Sequence, residues 1–282
     1  YYRKFLTGYG LAAKLLYDRI PPGADPLGPE NILGFMSGVL TGTGASFSGR
    51  FEVACKSPLT GGWGDANCGG KLAPAIKWAG YDGVFFQGIS PKPVYLLVAD
   101  GKAELKDAAG LWGQDAVAAE KLLLKQNEGV KRLQVACIGP AAEKLSLISG
   151  ISNDGGRFAA RSGVGAVMGS KRLKAIAIIG TAKIESNDLE TLKANNSKFV
   201  KALDKADVMQ KILGSWLVGF LGKMTRINPM AMANPGDFWC QCLKKYGTMG
   251  VTAMSAEAGD SPVKNWGGVG YQDFPLARSK KV

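Results

Sequence analysis

Apolar residues near the start of the chain recur at helical spacing. They predict an amphipathic helix over Leu6–Ile20, which Pro21-Pro22 would end. A second helix is predicted over Asp115–Gln126, with Asp115 as its N-cap and Gly129 just beyond its end.

Between these helices and after them, short apolar runs bounded by turn residues predict strands. The predicted strands are Asn31–Leu40, Arg50–Cys55, Val84–Gln87, Val94–Ala99, Leu133–Ile138, Leu145–Ile151 and Ala175–Ile179. The last of these is apolar throughout, which indicates a buried strand. The glycine-rich stretches between the runs are interpreted as loops.

The pattern changes after Gly180. Helical spacing resumes over Asp188–Leu213, and strand signals become rare. We therefore predict a domain boundary near residues 181–187, with a β-rich domain over 1–184 and a mainly helical segment over 185–282. The chain begins with Tyr, and the second segment is expected to be the beginning of a domain that continues further. The fold class predicted is α+β.

The first domain shows signs of an internal repeat. Val53-Ala54-Cys55 matches Val135-Ala136-Cys137, and Gly88 matches Gly180. Each proposed unit consists of a strand, a glycine-rich loop, a short helix and a buried strand. This order predicts a pseudo-twofold domain, although chance matching of common residues is the alternative.

Composition narrows the chemistry. The chain has 282 residues, 39 glycines and no histidine, and its formal net charge is +12. Without histidine, this chain itself cannot supply a Ser-His-Asp or Cys-His nucleophile or an imidazole zinc site. The positive charge suggests an anionic partner such as a phosphate-bearing cofactor or an acidic redox protein. Nucleic acid is a weaker alternative, because no nucleic-acid-binding motif is recognisable.

The five cysteines do not form a recognisable framework of bridges or ligands. Their odd number and wide spacing favour free thiols in a cytoplasmic protein. Cys240 and Cys242 form a C-x-C pair, which is a weak metal signal and is interpreted as two plain thiols. No apolar run is long enough to predict a membrane span.

Two glycine-rich loops lie at corresponding places in the repeat. The first contains Asn67-Cys68-Gly69-Gly70 and the second runs from Arg157 to Gly165. Glycines let backbone N–H groups approach an anion, and Arg50, Arg157 and Arg161 are candidate bidentate donors. Tight turns use the same glycines, but a duplicated pair of loops favours a ligand with two phosphate-bearing halves.

Other polar residues near these loops have simpler interpretations. Asp65 and Asp154 are expected to form turns, although holding a cation is the alternative. Lys171 and Lys174 are expected to form a solvated helix end.

Several long motifs resemble the N-terminal domain of tungsten-containing aldehyde ferredoxin oxidoreductases, over roughly residues 6–184. They are DPLGPEN, LTGTGASFSGRFEVACKSPLTG, ANCGGKLAPAIKWAGYDGVFFQG and NDGGRFAARSGVGAVMGSKRLKAIAIIG. The resemblance implies a pseudo-twofold β-rich base that carries a tungsten, or molybdenum, bis-pterin. Residues 185–282, with YGTMGV and SPVKNW, look like the start of that family's second, helical domain.

The resemblance also implies roles for individual residues. Arg50 matches the arginine between the pterin and the iron–sulfur cluster. Asn67 and Phe158 match positions whose backbone carbonyls bind a magnesium ion bridging the pterin phosphates, although the second position is usually a small residue. The remaining implied cofactor-binding residues are Cys68, Gly69, Gly70, Arg157, Ala159 and Arg161.

The implied activity is oxidation of an aldehyde to a carboxylic acid, with electrons leaving through a [4Fe–4S] cluster to ferredoxin or another electron-transfer subunit. The family's cluster cysteines and proposed acid–base residues lie in later sequence, so this chain offers no catalytic residue and is expected to be inactive alone. The alternatives are a relative that reduces an aromatic acyl-CoA ring, and a non-catalytic anion-binding module. No nucleic-acid or membrane partner is expected, and a homo-oligomer is left open as one alternative.

Overall fold

The computed structural model describes residues 2–99 and 101–205, and further positions at 223–224, 247, 252, 255–256, 263–264 and 267–273. The chain divides into two compact units, Tyr1–Leu189 and Glu190–Val282. Sheets and helices are mixed in the first unit, which confirms the predicted α+β class. The functional identities predicted for segments 1–184 and 185–282 stay predictions.

Eight helices and ten strands have both of their ends within the described residues. The helices are α1 Tyr2–Phe5, α2 Tyr9–Arg19, α3 Leu72–Trp78, α4 Ala116–Gln126, α5 Pro140–Glu143, α6 Val164–Ser170, α7 Leu189–Lys205 and α8 Gly270–Asp273. The strands are β1 Leu33–Ser37, β2 Phe51–Lys56, β3 Trp63–Cys68, β4 Gly83–Phe86, β5 Val94–Ala99, β6 Lys102–Asp107, β7 Leu133–Cys137, β8 Ile151–Asn153, β9 Arg157–Ala159 and β10 Leu173–Ile179.

The strands form two sheets. The first has the order β3-β2-β1-β4 and is antiparallel throughout. The second has the order β6-β5-β10-β7-β8-β9, in which β5 and β10 are parallel and the other neighbours are antiparallel. Strands β3 and β9 are therefore edge strands of different sheets, and they pack against each other.

The repeat is visible in the topology. The series β1-β2-β3-α3-β4 and β7-β8-β9-α6-β10 have the same strand order and the same antiparallel pairing. Helix α2 packs on β1 and β2 as α4 packs on β7 and β8. The predicted equivalence of Val53-Ala54-Cys55 with Val135-Ala136-Cys137 is wrong by one strand. The first tripeptide lies on β2, which corresponds to β8, and the second lies on β7, which corresponds to β1. Gly88 and Gly180 follow the corresponding strands β4 and β10.

Three apolar clusters hold these layers together. The largest lies between the sheets, and Phe35, Val53, Leu96 and Ile176 are among its buried members. A second cluster joins α4 to the outer face of the second sheet, and a third joins α2 to the outer face of the first sheet. The two outer clusters repeat the same arrangement of a helix on a sheet, and together with the inner cluster they bury both faces of the central strands β1, β2, β7 and β10.

Local signals account for the elements that match the predictions. Asp115 caps α4, since its carboxylate accepts from the N–H groups of Val117 and Ala118, both at 3.0 Å. The predicted strand over Leu145–Ile151 is wrong. Only β8 begins there, and Ile148 is 83% exposed in a turn. The predicted helix over Asp188–Leu213 is seen as α7, and its last eight residues lie outside the described ones.

Lys171 and Lys174 are buried, so the prediction of a solvated helix end is wrong. Lys171 Nζ donates to the carbonyl of Asn31 at 2.6 Å, and burial lowers its pKa to about 8. Lys174 Nζ pairs with Glu143 Oε1 at 2.5 Å. Both lysines lie where α6 leads into β10, and each joins that segment to residues distant in sequence.

Candidate functional site

The candidate site lies where edge strands β3 and β9 meet. Ser162 Oγ donates to the carbonyl of Asp65 at 3.1 Å, and Ser57 Oγ donates to the carbonyl of Ser162 at 3.0 Å. These bonds tie the two halves of the repeat together beside the glycine loops. Asp65 lies within β3, so the turn predicted for it is wrong.

Asn67 and Phe158 occupy equivalent positions in this arrangement. Each is the second-to-last residue of its edge strand, and each is exposed. The residue that follows each of them, Cys68 or Ala159, is buried against the core. Cys68 and Ala159 therefore offer a ligand their backbone rather than their side chains.

The first glycine loop is flanked by arginines from both halves of the repeat. A Cβ added to Gly69 would lie 3.5 Å from Arg50 Nη1 and 3.8 Å from Arg157 Nη1. Gly70 has a φ of +112°, and a Cβ there would lie 2.3 Å from Asn153 Oδ1. Gly70 must therefore be glycine to keep this geometry, whereas a Cβ on Gly69 would make only ordinary van der Waals contacts with the two guanidinium groups. Two guanidinium groups converging on a glycine loop form a suitable cradle for an oxyanion.

Arg50 is held by the neutral groups of Asn67. Its Nε donates to Asn67 Oδ1, and its Nη2 donates to the Asn67 carbonyl at 3.1 Å. The Asn67 carbonyl keeps a second lone pair, because a carbonyl oxygen accepts two hydrogen bonds. Arg50 and the predicted magnesium position are therefore parts of one connected group.

Glu52 orients this group and was missed from the sequence. It is the cross-strand partner of Asn67, and its Oε2 accepts from Asn67 Nδ2 at 3.2 Å. Burial, followed by the neighbouring Asp65, raises the pKa of Glu52 to about 7. The available signal was an acidic residue inside the apolar run FEVAC.

The turn between β8 and β9, just before the second loop, is supported from beneath. Glu120 on α4 is buried, and its two carboxylate oxygens accept from the Gly155 N–H at 3.1 and 3.2 Å. Burial raises the pKa of Glu120. Asp154 lies in a turn, as predicted, with a φ of +48°, and its carboxylate is 3.4 Å from Arg157 Nε. Lys71 Nζ lies 4.0 Å from the same carboxylate group.

Arg161 is not drawn into this cluster. It is exposed in the turn before α6, and its carbonyl accepts from Val164 N at 3.3 Å. Of the nine predicted cofactor-binding residues, the structure brings together Arg50, Asn67, Cys68, Gly69, Gly70, Arg157, Phe158 and Ala159 on or beside the two edge strands.

The described residues hold no group of three or more Cys, Asp or Glu side chains that is arranged to bind a metal ion. Cys55, Cys68 and Cys137 are free and buried, and burial raises the pKa of each thiol. Cys240 and Cys242 lie outside the described residues. In the part of the chain that the structure describes, every helix falls short of the length and hydrophobicity needed to cross a bilayer.

Residues 1–180 match the family described as "Aldehyde ferredoxin oxidoreductase, N-terminal domain". The chain belongs to the aldehyde ferredoxin oxidoreductase family. This finding confirms the resemblance seen in the motifs. The family is one of oxidoreductases, as the names of its curated members state.

Two curated members of the family are tungsten-containing aldehyde ferredoxin oxidoreductases. The protein of Thermococcus kodakarensis is 46% identical over 186 residues, which are 66% of this chain and 31% of the relative. The protein of Pyrococcus furiosus is 39% identical over 264 residues, which are 94% of this chain and 38% of the relative. The chain thus spans about a third of the length of these two relatives.

Other family members carry different names. An "Aliphatic sulfonate oxidoreductase, WOR-like subunit" of Pyrococcus furiosus is 31% identical over 216 residues, or 71% of this chain. A solved active-site complex of benzoyl coenzyme A reductase, with a dienoyl-CoA bound, matches with a TM-score of 0.63 and 40% identity. That match covers 65% of this chain and 28% of the other.

Proposed function

We propose that this chain is the cofactor-binding N-terminal part of a tungsten or molybdenum bis-pterin oxidoreductase that oxidises aldehydes to carboxylic acids. The observation that carries the proposal is the convergence of Arg50 and Arg157 on Gly69, at the junction of the two repeat halves. A ligand with two similar phosphate-bearing halves suits a site built by two similar halves of the chain. Tungsten is named for two curated relatives of this chain, which are 46% and 39% identical to it.

The residues fit the phosphates of such a cofactor. Arg50 and Arg157 would bind phosphate oxygens, and hydrogen bonds of this charged kind contribute about 1.5–3 kcal/mol each. Gly69 and Gly70 would let the backbone approach the ligand. The carbonyls of Asn67 and Phe158 would bind magnesium, and their equivalence in the repeat supports this pairing. Cys68 and Ala159 would line the pterins through their backbone.

When bound, the metal centre would supply the redox chemistry of the reaction. The chain's own residues neutralise the phosphate charges, fix the orientation of the two pterins and hold Arg50 through Asn67 and Glu52. Arg50 would also lie towards a [4Fe–4S] cluster ligated by residues outside this chain. Ferredoxin or another electron-transfer subunit would accept the electrons. Arg161, which is exposed, would contact the cofactor only at the edge of the site.

A second candidate is reduction of an aromatic acyl-CoA ring. The benzoyl coenzyme A reductase complex, at 40% identity, favours it specifically. The same cofactor base would serve either reaction, so the residues described above do not separate them. A stand-alone anion-binding module is the alternative of another class. A cytoplasmic enzyme remains our expectation, with a homo-oligomer as an open alternative.

The test is metal analysis of the protein purified under anaerobic conditions. Arg50→Ala and Arg157→Ala should each remove most of the bound tungsten or molybdenum, because each change removes a phosphate ligand. Arg132→Ala is the matched control, since Arg132 lies 5.3 Å from the ring centre of Trp78 at the far end of α3. Full metal retention in both site variants would contradict the proposal. Measuring the rate of aldehyde oxidation and the rate of aromatic acyl-CoA reduction by the same protein would separate the two reactions.

A further inference from the structure

Asn153 joins the two glycine loops from inside the protein. It is the last residue of β8, and only 1% of its surface is exposed. Its Nδ2 donates to Cys68 Sγ at 3.1 Å and to the Arg157 carbonyl at 3.2 Å. One amide group therefore contacts the end of the edge strand in one half of the repeat and the start of the edge strand in the other.

The other atom of this amide also faces the first loop. Asn153 Oδ1 is buried and has no hydrogen-bond partner among the described residues. It lies 2.3 Å from the position that a Cβ of Gly70 would take. A buried carbonyl oxygen without a hydrogen bond costs free energy of folding, so Asn153 serves something other than stability. What it serves is close packing against the loop that Gly70 forms.

The backbone of Asn153 is fixed on both sides. It is paired with Ala136 on β7 and with Arg157 on β9. Two residues later, the Gly155 N–H is held by Glu120. The Asn153 side chain thus extends from a fixed backbone, so its contacts with both loops keep them at a fixed distance from each other.

We propose that Asn153 is a positioning residue of the anion site, which joins the two glycine loops so that Arg50 and Arg157 act on one ligand together. This inference rests on the proposed function, since it assumes an anion between the two arginines. Asn153 itself is too deeply buried to contact that anion. Its role is to keep Gly69, which both guanidinium groups approach, at a fixed distance from Arg157.

The test uses sulfate as a probe of the site, in protein produced without tungstate or molybdate. Sulfate resembles a phosphate group, and its charge is constant near neutral pH, so the pH of the buffer does not change the probe. Affinity is measured by calorimetry for the parent protein, for Arg50→Lys, for Arg157→Lys and for the double variant. These four affinities give the coupling between the two arginines.

The same four affinities are then measured with Asn153→Leu added. Leu has nearly the shape of Asn but no hydrogen-bonding group, and it also removes the unsatisfied Oδ1, so the fold should be retained. Asn153→Ala is the second variant in case the first does not fold. Asn127→Leu is the control, because Asn127 directly follows α4 and its Nδ2 donates to the Leu123 carbonyl of that helix at 2.8 Å.

With Asn153 present, the arginines should be coupled by a factor of about 5 or more in sulfate affinity. With Leu or Ala at this position, the coupling should disappear and sulfate should bind about tenfold more weakly, while Asn127→Leu changes neither value. Unchanged coupling and affinity in the Asn153 variants would overturn the inference but leave the anion site in place. A loss explained entirely by a smaller folded fraction would also overturn it. Failure of the parent protein to bind sulfate would overturn the anion site and the inference together.

Discussion

Asn67 and Phe158 are equivalent residues, each standing one position before the end of an edge strand in its half of the repeat. Asn67 also uses its side chain, which accepts from Arg50 and donates to Glu52. Phe158 is 53% exposed, and its side chain is not required for a role that uses the backbone carbonyl. The two positions are thus alike in backbone and different in side-chain function.

Phe158→Ala is therefore expected to leave metal and magnesium content unchanged. Its free energy of unfolding should change by no more than about 0.5 kcal/mol, which is usual for an exposed position. Asn67→Ala should lower the metal content, because it removes a hydrogen-bond partner of Arg50. Metal analysis and urea unfolding check both variants. Loss of metal in Phe158→Ala with retention in Asn67→Ala would reverse the roles assigned to the two positions.

Lys171 predicts a pH dependence of stability. Burial lowers its pKa from 10.5 to about 8, so between these values the unfolded chain binds more protons than the folded one. Folding should therefore be favoured as pH rises across this window. Compared with Lys171→Met, the parent protein should gain about 1–3 kcal/mol in free energy of unfolding between pH 8 and 10.5. Urea unfolding at several pH values measures the difference, and parallel curves for the two proteins would refute the assignment.

The ion pair of Lys174 and Glu143 offers a prediction about buried charge. The side chains are 0% and 6% exposed. Lys174→Met alone should lower the free energy of unfolding by about 3–5 kcal/mol, since it leaves a buried carboxylate unpaired. Adding Glu143→Leu should recover part of this loss. Lys92→Met, which breaks the exposed pair with Asp107, is the control and should cost far less than Lys174→Met, because solvent screens exposed pairs. An equal loss in the single and double variants would show that the pair is not the cause.

The elements with strong local signals could be predicted from the sequence. Helix α4 has an Asp cap and an apolar face, and β5 has the bounds Val94–Ala99 that its apolar run indicated. Strands β3 and β9 could not be recognised, because β3 (WGDANC) is made largely of small and polar residues and β9 has only three residues. They become strands only by pairing with β2 and β8. A strand that forms only because it pairs with a neighbouring strand cannot be recognised from its own residues.

The candidate site shows the same division. The glycine loops and Arg50, Arg157 and Asn67 were visible in the sequence as motifs. Glu52 and Asn153 were missed because their roles depend on cross-strand register and burial, which spacing alone does not reveal. Lys171 and Lys174 were misread for a related reason: a lysine near a helix end is usually solvated, and only the packing of distant residues buries these two.

The central claim is that the paired loops hold a metal bis-pterin cofactor. Quantifying tungsten, molybdenum and released pterin in the protein purified anaerobically tests it most directly. The account predicts tungsten or molybdenum together with pterin in the parent protein, and depletion of both in the Arg50→Ala, Arg157→Ala double variant. A protein that is stably folded, produced in cells supplied with tungstate and molybdate, and free of metal and pterin would contradict it.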